Sequence, residues 1–188
     1  MKSIVFFFFL LLVSCSADNS RLSISADAPT LKSIVSQRKI PKDELHIVVR
    51  KAVRKLSVYY KTEALITYPC VLGFSPEGDK MQEGDGKTPE GKFNILSMYP
   101  HKSWSYFIWF DYPNAVSRQR FKERKADGTI SGNARIGGEV GIHGVPTGRN
   151  DLIEKNSDWT LGCISLTTEN ITDLYQSIGT KTTIEILK

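Results

Sequence analysis

Ile142-His143-Gly144 and Thr160-Leu161-Gly162-Cys163-Ile164-Ser165-Leu166 bracket the most informative segment of the chain, with sixteen residues between His143 and Thr160. The pairing of His143 with Cys163 points to nucleophilic acyl transfer. A thiol is a weak nucleophile until it loses its proton, and an imidazole nearby can accept that proton or stabilise the thiolate. A glycine follows the His and another precedes the Cys. Gly162 lets the backbone turn sharply beside the thiol. Its N–H and that of Cys163 are then expected to converge on one point, where an oxyanion would be held. Taken singly, a Cys reads first as a small buried hydrophobe and a His as a structural residue; it is the combination that carries information.

That combination resembles the catalytic signature of L,D-transpeptidase (YkuD-type) domains: a His-Gly, a gap, then Ser/Thr-His-Gly-Cys. A second block, Gly84-Asp85-Gly86-Lys87-Thr88-Pro89-Glu90-Gly91-Lys92-Phe93, resembles the Thr-Pro-x-Gly-x-Phe segment upstream of that site. The resemblance runs from about Leu45 to Leu187. Two positions depart from it. Leu161 stands where the family often has a second His, and Ser165 where it often has Arg or Asn. The first departure leaves His143 as the one plausible base.

The resemblance implies a mainly-β, sandwich-like domain with a few short helices, spanning 45–187. It implies peptidoglycan stem peptides as substrate, with Cys163 as nucleophile and His143 as general base and acid. Gly162 and Cys163 would supply oxyanion donors, and Gly144 and Thr160 would touch substrate. The alternatives are a hydrolase on the same scaffold, either an L,D-carboxypeptidase or an amidase releasing wall-bound protein, and a non-catalytic wall-binding lipoprotein. No cofactor is expected, and the three histidines and three cysteines show no metal-ligand spacing.

The N-terminus reads differently from the rest. Lys2 precedes an apolar run from Ile4 to Val13, the length of a signal-peptide core and about half of the ~20 residues a membrane span needs. Leu12-Val13-Ser14-Cys15 resembles the bacterial lipobox, which makes 1–14 a lipoprotein signal peptide and Cys15 the lipidated residue. The alternative is an ordinary cleaved leader. Residues 15–44 then read as a tether, with Leu31, Ile34 and Val35 on one short amphipathic helix. The expected setting is the cell envelope, facing the periplasm, anchored by lipid to a membrane, the outer one by the family-level rule for Ser16. Cys70 lies in an apolar stretch and reads as a buried thiol, not half of a disulfide.

Composition bounds the remaining classes. A chain that is 40% hydrophobic and 24% charged is globular. The net charge of +5 would suit an anionic surface, but no Lys/Arg run with interleaved aromatics marks a nucleic-acid face. A monomer is expected. Strands are expected around His46–Val49, Leu56–Tyr60, Leu65–Leu72, Phe93–Tyr99, Tyr106–Phe110, Gly137–His143 and Thr182–Leu187. Asn114 reads as the cap of a polar helix reaching Lys125, and Thr168 as the cap of a helix with Ile171, Leu174, Tyr175 and Ile178 on one face. Gly73–Pro89 reads as a solvated loop with Lys80, Glu83, Asp85 and Lys87 facing water. Pro146–Trp159 reads as a polar rim. His101 reads as a surface residue and His46 as an ordinary strand residue.

Overall fold

The computed structural model describes residues 29–188; the expected leader and the expected lipidation at Cys15 lie outside the described residues. The strands are β1 (Leu45–Arg50), β2 (Lys55–Tyr60), β3 (Glu63–Pro69), β4 (Gly91–His101), β5 (Ser105–Phe110), β6 (Gly141–Gly144), β7 (Ile164–Leu166) and β8 (Thr183–Leu187). The helices are α1 (Leu31–Gln37), α2 (Ala115–Ala126), α3 (Asp151–Glu154) and α4 (Thr168–Ser177). The architecture is mainly β, as expected.

The strands join in the order β3-β2-β1-β8-β4-β5-β6-β7. The pivot is β4. Its first residues, Gly91–Asn94, pair with β8, and its remainder, from Ile95 onward, pairs with β5 with a register shift between Ile95 and Ser97. A bulge of this kind bends a strand and increases its twist, so one ladder becomes two leaves. Side chains from both leaves meet in one core: Ile47, Val49, Leu56 and Val58 from one, Ile108, Phe110, Ile142 and Ile164 from the other. β1 lies between β2 and parallel β8. Its unbroken Ile47-Val48-Val49 run suits a strand covered on both faces.

Three local readings change. Residues 70–72 do not extend β3; Val71 and Gly73 make single bridges to Ser165 and Thr160 instead. Only Gly141–Gly144 of the glycine-rich segment is strand. The cap of α4 is Thr167, whose hydroxyl accepts the Asn170 N–H at 3.2 Å.

The tether reading ends earlier than residue 44. Leu31 is fully buried and Val35 nearly so, and both join the main core. The Asp173 carboxylate on α4 accepts the Leu31 and Lys32 N–H groups at 2.8 and 2.9 Å and the Tyr68 hydroxyl at 2.8 Å. A carboxylate satisfies the orphan donors at the N-terminus of α1. Leu31→Ala should lower stability by about 2–5 kcal/mol, the usual cost of emptying a buried leucine site, read from urea unfolding. A loss below 0.5 kcal/mol would return this segment to the tether.

Candidate active site

His143 lies in β6, between Phe107 of β5 and Ser165 of β7. It is 2% exposed. Trp104 stacks on its ring at 4.4 Å, Phe107 lies nearly parallel at 5.8 Å, and Trp159 meets it edge-on at 5.7 Å. Its Nδ1 is 2.8 Å from the Gly144 carbonyl. A carbonyl only accepts, so Nδ1 carries the proton and Nε2 is the basic nitrogen. A main-chain carbonyl thus orients the imidazole, a role for which the sequence offered no side chain.

Gly144 therefore does something other than touch substrate. Its N–H donates to the Trp104 carbonyl at 3.1 Å and its carbonyl holds His143. A Cβ there would meet the Trp104 carbonyl at 2.6 Å and Ile171 at 3.0 Å. Buried and outside the cleft lining, it orients the His143 ring.

Cys163 sits at the end of a tight turn entering β7. Gly162 has φ of 143°, and a Cβ there would lie 2.7 Å from the Lys87 carbonyl. Both facts require glycine. The buried Thr160 hydroxyl donates to the Cys163 carbonyl at 2.7 Å and accepts the Gly162 N–H at 3.1 Å. Thr160 is thus a strut of the turn as well as part of the cleft wall. The Gly162 N–H is spent on that strut, which leaves it engaged where a free oxyanion donor was expected. The Cys163 N–H is taken by no turn or side-chain acceptor among the described residues.

The thiol points at the Glu139 carbonyl, 3.7 Å away. Glu139 has φ of 55°, an uncommon conformation for a non-glycine residue. His143 and Cys163 line one cleft of 670 Å³, together with Lys80, Trp104, Glu139, Trp159 and Leu161. Leu161 is 74% exposed at its rim. A second groove of 290 Å³, walled by Tyr99, His101, Trp104, Phe107 and Trp109, also reaches Cys163.

Burial sets the protonation of the pair. It pushes the His143 imidazole down to about 4, against the Gly144 hydrogen bond, which works the other way. It pushes the Cys163 thiol up to about 11, although the Gly141 backbone and Lys80 both work to lower it. Pairing with His143 would lower the thiol, but His143 is not among the groups that shift it, and desolvation of the charged form dominates. The resting pair is therefore neutral imidazole and neutral thiol. Among the described residues, no group of three or more His, Cys, Asp or Glu side chains is gathered at one point.

The other candidates separate from the site. Cys70 is fully buried, and burial pushes its thiol up to about 12. His46 binds the Thr183 hydroxyl at 2.7 Å in the opposite leaf. His101 is partly covered, its ring stacked on Trp104 at 4.4 Å, so it is less of a surface residue than expected. The sequence also hid two groups. Trp104 lies just before β5, in an unremarkable Lys-Ser-Trp-Ser context. Lys80 looked solvated, yet it is 5% exposed and bonded to Asp85 at 2.7 Å. A charged residue in a turn-rich, polar segment gives no periodic signal of burial.

The sequence pattern of the YkuD family, described as the L,D-transpeptidase catalytic domain, matches residues 44–186. Among curated proteins no sequence matches significantly. Among solved structures, Bd1075 from Bdellovibrio bacteriovorus aligns at 21% identity and TM-score 0.54, covering 76% of this chain and 47% of that one. The helical cell shape determining protein Pgp2 from Campylobacter jejuni aligns at 24% identity and TM-score 0.55, covering 76% and 46%. An L,D-transpeptidase from Mycobacterium smegmatis aligns at 15% identity and TM-score 0.50, covering 77% and 59%. The chain spans about half the length of the first two, and at these identities the likeness is one of fold.

Proposed function

This chain belongs to the YkuD family of L,D-transpeptidase catalytic domains, and from that premise we propose that it is a cysteine acyltransferase acting on peptidoglycan stem peptides. The observation that carries the reading is the shared cleft: His143, its tautomer fixed by the Gly144 carbonyl, and Cys163 line the same cavity.

His143 Nε2 takes the thiol proton as Cys163 Sγ attacks the carbonyl carbon of the third, L-centred residue of the stem. The carbonyl electrons move onto oxygen, where the Cys163 N–H is the available backbone donor. Collapse breaks the C–N bond, and His143 returns the proton to the departing D-alanine amine. A thioester remains on Cys163. An amine of a second stem then attacks it, loses its proton to His143, and releases the thiol with a new amide bond. Water in place of that amine would give a trimmed stem.

The second groove favours transfer. It shares Trp104, Glu139 and Cys163 with the main cleft and is otherwise lined by different residues, room that a second stem could use to reach the thioester. Mass spectrometry of muropeptides incubated with the purified protein tests the reading. Cross-linked dimers support transfer, and trimmed stems replace it with hydrolysis. Unchanged material in both stem length and linkage defeats the enzymatic reading. A role in wall remodelling and cell shape is part of this proposal, by analogy with the helical cell shape determining protein Pgp2.

The proposed setting is the periplasmic face of a membrane, through lipid on Cys15. A diacylated terminus anchors stably, whereas a single chain is marginal. Cys15→Ala should move the protein from the membrane to the soluble fraction. If the variant stays with membranes after salt and carbonate washes, the anchor lies elsewhere.

A further inference from the structure

Lys80 is a cation that the reaction as written does not use. It is 5% exposed and lines the cleft that holds Cys163. A Cβ placed on Gly162 would lie 3.6 Å from its Nζ, so the ammonium packs against the turn that presents the thiol. Of its three N–H groups, one bonds Asp85 at 2.7 Å. Lysine is rarely buried unless paired, and a buried pair is weak evidence of a contribution to stability.

The surroundings fix Lys80 in place. The Asp85 carboxylate also accepts the Met81, Gln82 and Lys87 N–H groups at 2.6, 3.0 and 3.0 Å. Burial works to raise its pKa, but these bonds and the one from Lys80 outweigh it and hold the carboxyl below its usual range. The Lys80 carbonyl accepts Arg124 of α2 at 2.8 Å, and Arg124 also binds Asp79 at 2.8 Å. The polar helix α2, which buries no side chain in the core, thus clamps this loop from outside.

We propose that Lys80 stabilises the negative charge that forms on the Cys163 sulfur, a task the resting imidazole, neutral and buried, does not perform. This inference rests on the acyl-transfer reading only for its consequence, since the charge effect on the thiol exists whatever the substrate. The charged and titratable groups around the sulfur have different signs. Lys80 approaches from the loop before β4, and Glu139 from the loop before β6. His143 comes from β6 itself, and the exposed Glu83–Arg135 pair spans the cleft mouth. Glu139 opposes thiolate formation and Lys80 favours it. Glu83 and Arg135 largely cancel, being bound to each other at 2.6 Å. Asp85, bound to Lys80 at 2.7 Å, offsets part of its charge, yet Lys80 is the one cation that acts on the sulfur and Asp85 does not act on it directly. A preorganised charge beside a developing anion costs no reorganisation during reaction.

The test is the pH profile of Cys163 alkylation by iodoacetamide, followed by intact mass in a Cys70→Ser background. Alkylation requires only the thiolate, so its outcome is independent of muropeptide turnover. Failure here leaves the acyl-transfer reading standing, and failure of turnover leaves this test valid. Lys80→Gln should move the profile to higher pH by one unit or more, a tenfold slower reaction on the rising limb. Lys80→Arg should stay within threefold of the parent. Because Lys80→Gln leaves Asp85 unpaired, the double variant K80Q/D85N, neutral at both positions, is measured beside it. It should shift in the same direction. A double-variant profile superimposed on the parent's, at matched thermal stability, would overturn the proposal and reduce Lys80 to a strut for Asp85.

Discussion

Cys163→Ala should abolish covalent capture of substrate and reduce turnover by on the order of 10⁴-fold or more, since loss of the nucleophile removes the covalent route itself. Cys70→Ser should leave turnover within about twofold. The contrast follows from placement. Both thiols are free and both are held protonated by burial. Cys70, however, is fully enclosed in the core, while Cys163 opens on two cavities. A reagent that reaches Cys163 finds a proton acceptor lining the same cleft; Cys70 has no such approach. Intact-mass analysis after exposure to a carbapenem reads the effect directly, because opening of the strained ring amide leaves the whole molecule on sulfur. An adduct that persists in Cys163→Ala and disappears in Cys70→Ser would reverse the assignment.

The two leaves and their helices were legible because their residues repeat. Val48 and Val49, Leu56 to Tyr60 and Phe107 to Phe110 show strand composition, and Ile171, Leu174 and Ile178 recur at helical spacing. The site was legible only where a resemblance could point, at His143 and Cys163. Its supports were not, because they act through the backbone or through long-range pairs. Nothing in the sequence distinguishes a Gly144 carbonyl that orients a ring from one that binds substrate. Thr160 looks the same whether it faces a ligand or braces Gly162. Lys80 and Asp85 are five residues apart, but the Lys80 backbone is held by Arg124 of α2, forty-four residues beyond Lys80. Segment 31–40 looked like linker because it is short and partly polar; Asp173, far downstream, is what docks it.

His143→Ala should lower the single-turnover acylation rate by about 10²–10⁴-fold, the usual contribution of general acid–base help, with Leu161 unable to substitute. His46→Ala and His101→Ala should stay within tenfold, since His46 lies in the other leaf and His101 stacks on Trp104, one ring removed from His143. The pH dependence should identify the cause. With the imidazole held down to about 4 by burial, His143 is neutral and competent well below the usual histidine range, so the parent rate should stay level from about pH 6 to pH 8. The same shift makes a stability prediction of defined sign. The unfolded chain, with an imidazole near 6.5, binds a proton that the folded chain resists. Stability is therefore fully present above 6.5 and falls as pH drops from there through about 4. At ~1.4 kcal/mol per unit, that loss approaches about 3 kcal/mol. His143→Gln should unfold with a flatter profile across this window. A His143 variant that keeps both the parent's acylation rate and its stability slope would show that another group activates Cys163.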